Sequence, residues 1–147
     1  MAAVGYSGTP LEKKLGIAPG HRVLLAQAPP DVVLDLPEGA TTTTVARGDV
    51  DVALVFTTAQ ADLRRRMPAV CRALVADGGL WICWPKRASK VPTDLTEDVV
   101  RQVGFDHGLV DNKVCAVSDV WSGLRLVVRR ADRASWRSGR STTAPTA

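Results

Sequence analysis

The densest group of side chains able to do chemistry lies between positions 86 and 94. Lys86, Arg87, Ser89, Lys90, Thr93 and Asp94 follow an apolar run over 80–84 that Pro85 closes, and they precede an amphipathic stretch. Cations and hydroxyls just ahead of a helix favour anions, because free N–H groups and the helix dipole place partial positive charge there. Open α/β sheets gather ligands outside the carboxyl ends of their strands. Gln27, Thr57 and Thr58 fall at the ends of two further apolar runs. The expectation is a small anionic or phosphorylated ligand held by Lys86, Arg87, Ser89, Thr93 and Asp94. A solvated loop in which Thr93 or Asp94 merely caps the helix accounts for the same residues.

A second basic group closes the chain. The 147 residues carry a net charge of +4, from 19 basic and 15 acidic residues. Arg129, Arg130, Arg133, Arg137 and Arg140, set against Asp132, account for all of it. With Trp136 among them, these arginines are candidates for contact with nucleic acid phosphates. A solubilising terminus is the plainer use of such a stretch. Arg64-Arg65-Arg66 is a further cationic triplet, expected on the solvated face of a helix.

Other chemistries lack their residues. Cys71, Cys83 and Cys115 are scattered in apolar settings, and neither histidine (His21, His107) has a partner at ligand spacing, so no metal is expected. An odd cysteine count with no basic-then-apolar leader suggests a reducing cytoplasm. No apolar run approaches the ~20 residues of a membrane span. There is no nucleophile elbow, paired-carboxylate motif or phosphate-binding glycine loop.

The elements that must position these residues follow from periodicity. Residues 21–27, 50–56 and 80–84 are nearly continuous apolar runs, as strands covered on both faces require. Leu63, Met67, Val70, Cys71 and Leu74 share one face of a helix expected over 59–76, which Asp77-Gly78-Gly79 ends. Leu95, Val99, Val100 and Val103 mark a second helix, with Asp94 and Glu97 as a capping-box start. Asp31 predicts a short helix over 31–36, and the threonines at 41–44 a strand over 40–46. Residues 110–118 and 124–130 form a terminal hairpin around Trp121-Ser122-Gly123. Strands alternating with helices imply right-handed parallel crossovers. The fold expected is three-layer, Rossmann-like α/β: a mostly parallel sheet of about six strands with a C-terminal antiparallel hairpin. It occupies residues 1–130, with 131–147 as a basic tail.

From residue 49 to residue 130 the order strand, helix, Gly78-Gly79, strand, helix and antiparallel pair resembles class I S-adenosylmethionine (SAM) methyltransferases. A longer resemblance runs from Gly5 to about Asp132. Its strings are Gly5-Tyr6-Ser7-Gly8-Thr9-Pro10-Leu11, Lys14-Leu15-Gly16-Ile17, Trp84-Pro85-Lys86, Pro92-Thr93-Asp94-Leu95-Thr96-Glu97, Leu109-Val110-Asp111-Asn112-Lys113-Val114 and Trp121-Ser122-Gly123-Leu124. On these the chain is similar to a family of small bacterial proteins known as domain of unknown function 3052. That resemblance implies a Rossmann-like fold and no established activity.

A methyltransferase uses a glycine-rich turn after its first strand and an acid after its second. Here the first strand runs into Gln27-Ala28-Pro29-Pro30 and the second into Val45-Ala46-Arg47. The sequence therefore leads to the expectation of a non-enzymatic binding or regulatory module with no cofactor and no conventional SAM or dinucleotide site. A homodimer through the terminal hairpin is the expected assembly. Two alternatives stand beside it: an enzyme or binder of a phosphorylated metabolite at the loop 86–94, and a nucleic-acid-associated protein using the arginine tail.

Overall fold

The computed structural model describes residues 10–136. The helices are α1 (Leu11–Leu15), α2 (Gln60–Ala73) and α3 (Glu97–Asp106). The strands are β1 (Arg22–Ala26), β2 (Thr41–Thr43), β3 (Val50–Phe56), β4 (Leu74–Pro85), β5 (Leu109–Ala116) and β6 (Trp121–Val128). Short 3-10 turns cover Arg87–Ser89 and Arg130–Ser135. The six strands form one sheet in the order β2-β1-β3-β4-β6-β5. The first four pair in parallel, while β6 inserts antiparallel between β4 and β5. The alternation of strands and helices, the mostly parallel sheet and the closing antiparallel pair are as the sequence predicts.

The strands read as unbroken apolar runs because their alternate side chains enter different cores. Ala53 and Val55 of β3 pack with Leu63, Met67, Val70 and Ala73 of α2 and with Val100 and Val103 of α3. Val52, Leu54 and Phe56 face the other way, toward Leu15, Ile17 and Trp81. Among the described residues no long helix lies over that second face. It is covered by α1 and by an extended segment whose Val32, Leu34 and Leu36 lie against it.

That segment corrects the helix expected over 31–36. Its apolar residues repeat every second position, the period of extended chain, and prolines at 29, 30 and 37 bound it. Two further boundaries move. Helix α2 ends at Ala73, and β4 begins at Leu74, not at Leu80. Leu74 pairs with Val50 and Gly79 with Val52, so residues 75–78 form a bulge. Gly78 makes it feasible, since a Cβ there would stand 2.7 Å from the Asp51 carbonyl oxygen. Strand β2 is limited to three threonines at the sheet edge.

Helix α3 starts two residues later than a cap at Asp94 requires. Thr96 is the N-cap, its hydroxyl accepting from the Val99 N–H at 3.2 Å. Asp94 instead serves α2, where its Oδ1 accepts from the Gln60 N–H at 2.7 Å. Thr93 donates to the Thr58 carbonyl at 2.6 Å. The loop 86–94 is thereby fastened to the turn between β3 and α2, which brings two clefts at the same end of the sheet next to each other.

Candidate functional site

The connection from β1 leads out to β2 at the sheet edge. The chain then crosses back over to β3 on the other side of β1. Connections that leave in opposite directions open a crevice at the carboxyl ends of the two strands, the usual ligand position in such sheets. A cleft of about 400 Å³ lies there, walled by Gln27, Phe56, Thr58, Asp62, Arg65 and Trp121. Gln27 ends β1 with φ of 61°, the left-handed conformation that glycine usually supplies. The missing glycine therefore does not mean a missing turn. The rings of Phe56 and Trp121 meet edge to face, with centroids 5.3 Å apart.

Asp62 organises the mouth of this cleft. The buried Thr57 donates its hydroxyl to Asp62 Oδ2 at 2.7 Å, Arg66 Nε approaches the same oxygen at 3.0 Å, and Arg65 pairs with Oδ1. Burial pushes the Asp62 carboxyl up, but the hydrogen bonds from Thr57 and Arg66 and the charges of Arg66 and Arg65 bring it below its ordinary 3.8. A carboxylate depressed in the folded state adds stability above its unfolded value, and that contribution fades as pH falls through the folded one. The Asp62→Asn variant is expected to lose stability near neutral pH. It should also show a flatter acid limb below about pH 4 than the parent in chemical denaturation followed against pH.

The second cleft, of about 590 Å³, lies beyond the end of β4. Trp84, Lys86, Arg87, Lys90, Thr93 and Ser122 are among the residues that line it. Of the five residues named for an anion, Lys86, Arg87 and Thr93 line this cleft, whereas Ser89 and Asp94 do not. Ser89 staples the loop, donating to the Lys86 carbonyl at 2.7 Å and accepting from the Val91 N–H at 3.2 Å. Asp94 is turned away toward Gln60.

Arg129, Arg130 and Arg133 of the closing stretch lie at the opposite end of the sheet, because β6 runs antiparallel and delivers the chain to the start of β4. Arg129 lies over the Phe105 ring, 4.6 Å from its centroid. Arg133 donates to the Val128 carbonyl at 3.2 Å, and Arg130 opens the final 3-10 turn. Trp136 donates to the Leu74 carbonyl at 2.7 Å and packs on the core, so the fold continues past residue 130. Arg137 and Arg140 lie outside the described residues. Arg129, Arg130 and Arg133 line neither cleft and lie across the length of β4 from both.

Burial raises the thiol of Cys71 to about 12 and pushes that of Cys83 well up, so both stay protonated. Among the described residues there is no cluster of three metal-ligating side chains. No described helix is long and apolar enough to cross a membrane.

Sequence reasoning passed over Asp62 and Trp121 as site residues and set Arg65 and Arg66 on a solvated helix face. The available signal was a hydroxyl at a strand end, Thr57, followed five positions on by a carboxylate one turn into a helix.

No protein-family model matches the chain, and no curated protein does. Solved structures do. One is magnesium protoporphyrin IX methyltransferase (ChlM) from Synechocystis PCC 6803 with bound S-adenosylhomocysteine (SAH), 15% identical over 60% of this chain and 51% of that one, with a TM-score of 0.45. Another is a Sulfolobus solfataricus protein assigned to the type 11 methyltransferases, 16% identical over 71% and 62%, with a TM-score of 0.45. A third is LepI in complex with SAH and a substrate analogue, 11% identical over 81% and 39%, with a TM-score of 0.51. The chain spans 39–62% of the length of these proteins. The likeness is one of fold. It corrects the expectation of a non-enzymatic module without a SAM site: a protein of this fold is in complex with SAH, and the left-handed turn at Gln27 removes the part of the sequence argument that rested on a missing glycine.

Proposed function

We propose that the protein is a SAM-dependent methyltransferase whose cofactor occupies the cleft where the chain crosses between β1 and β3. The observation that carries this reading is the coincidence, at one point, of the crossing of the strand connections, the left-handed end of β1 at Gln27 and a cleft of about 400 Å³. That volume falls within the range of small-ligand sites, about 300–1,000 Å³. The residues fit an adenosyl group in part. Gln27 and Thr58 are the polar side chains that would meet a ribose, and Arg65 the cation that would meet the cofactor's carboxylate. Phe56 and Trp121 supply the apolar wall. The end of β2 brings no carboxylate, so the acid in the cleft is Asp62, delivered by α2. When bound, the cofactor supplies the methyl group. The protein residues hold and orient it.

Membership in the small bacterial family is part of the same reading, supported by the shared strings around Trp84, Asp94, Asp111 and Trp121. A cytoplasmic location is supported by three free cysteines.

Calorimetry with SAH tests the cofactor assignment. Saturable binding is expected in the parent and its loss in Ala59→Leu, because Ala59 lines the cleft and a longer side chain fills it. No binding to the parent, or unchanged binding to the variant, rejects the assignment.

A further inference from the structure

We propose that the cleft between the end of β4 and the start of α3 is a second ligand site, one that takes a small, multiply charged oxyanion. The charge around it is one-sided. On the helices four of the five arginines are matched with carboxylates, among them Arg64 with Asp106 at 3.1 Å, Arg66 with Asp62 at 3.0 Å and Arg101 with Glu97 at 2.6 Å, and Arg72 is the exception. Among the described residues, Lys86, Arg87 and Lys90 have no such partner. Glu97 is the carboxylate in the lining, and Arg101 already neutralises it. Asp94, the nearest other acid in sequence, is committed to the Gln60 N–H.

The loop is also built to hold these cations in place. Lys90 sits in the left-handed region with φ of 64° and closes the 3-10 turn, its N–H donating to the Arg87 carbonyl at 3.1 Å. Ser89 ties both ends of that turn, and Lys86 N–H donates to the Val120 carbonyl at 2.7 Å, fixing the start of the loop to the β5–β6 connection. A concave wall of one charge sign above an apolar floor, here Trp84 and Leu95, concentrates the field on a ligand of opposite sign. The volume of about 590 Å³ accommodates more than a single ion. Phosphate esters and polycarboxylates share the chemistry these groups recognise, which is several anionic oxygens within reach of three cations and the Ser122 hydroxyl.

The test is calorimetry on the full chain with pyrophosphate and with citrate, at ionic strength matched by sodium chloride. Saturable binding of either supports the site and identifies which oxyanion it prefers. Binding of neither overturns it. The double variant Lys86→Ala/Arg87→Ala is expected to weaken binding by about tenfold or more, and Lys90→Ala to weaken it separately. Equal affinity in all of them overturns the proposal. Among the described residues these side chains make no ion pair, so the variants should melt as the parent does. SAH binding is the control that separates this inference from the cofactor assignment. It should persist in the double variant, and its loss there would mean one continuous site and overturn the proposal of a second.

Discussion

Replacing Trp81 with alanine is expected to lower the unfolding free energy by about 3–5 kcal/mol. Trp81 is fully buried in the middle of β4, on the face without a long helix. Its ring lies against Gly123 of β6, where a Cβ would approach ring carbon at 3.0 Å, so the ring fills the space that the glycine leaves. Its indole N–H donates to the Leu15 carbonyl at 2.9 Å, which ties the end of α1 to the sheet. Truncation removes the largest side chain from the thinner core and leaves that carbonyl without its partner. Since domains of this size are stable by only about 5–15 kcal/mol, the variant should be near the edge of folding. Urea unfolding measures the loss. The Trp81→Phe variant keeps most of the volume and loses the hydrogen bond, and is expected to cost about 1–3 kcal/mol. If Trp81→Ala costs under 1 kcal/mol, the thin second face does not carry the weight assigned to it.

The sheet was legible because its signals are local. Residues 50–56 and 80–84 are apolar on both sides of the pleat, and only a strand covered on both faces needs that. The parallel order followed from alternation with helices, and the terminal hairpin was legible too, although Trp121-Ser122-Gly123, read as its turn, lies within β6 and pairs with Pro85, Trp84 and Cys83. The extended cover at 29–40 was not legible. Asp31 has the chemistry of a helix cap, and nothing in the neighbouring residues says that Val32, Leu34 and Leu36 find a partner in a sheet face left bare. Tertiary burial decided the conformation there.

The two clefts differ in the same way. Lys86, Arg87 and Thr93 are close in sequence, so the loop that gathers them could be read directly. The cleft between β1 and β3 takes Gln27, Phe56, Asp62 and Trp121 from four separate parts of the chain. Its decisive backbone feature, a left-handed glutamine, has no compositional signature at all. The partner of Asp94 could not be read either, because Gln60 lies 34 positions away on another helix. A capping residue identifies the end of some helix, and the sequence does not say which.

Gly104→Val should act through the position of α3, and so through the second cleft. Read along the helix, Gly104 is a weak point, because glycine lowers helix propensity by about 1 kcal/mol relative to alanine. In the fold it faces β6 at close range. A Cβ there would stand 2.7 and 2.8 Å from the two methyl carbons of Leu126, which is itself fully buried. The gain in propensity is therefore outweighed, since Leu126 has no free space to retreat into and the helix must lift. Overpacking of this kind costs about 1–3 kcal/mol. The lift matters at the other end of the helix, where Thr96 and Glu97 line the cleft beside Lys86 and Lys90. Two readouts are expected to move together: a lower denaturation midpoint, and weaker pyrophosphate binding even though no cation has been changed. SAH binding, whose groups lie on β1, β3, α2 and β6, should fall less. Destabilisation with pyrophosphate affinity intact would show that the wall formed by α3 is dispensable and that the loop from Lys86 to Lys90 holds the anion unaided.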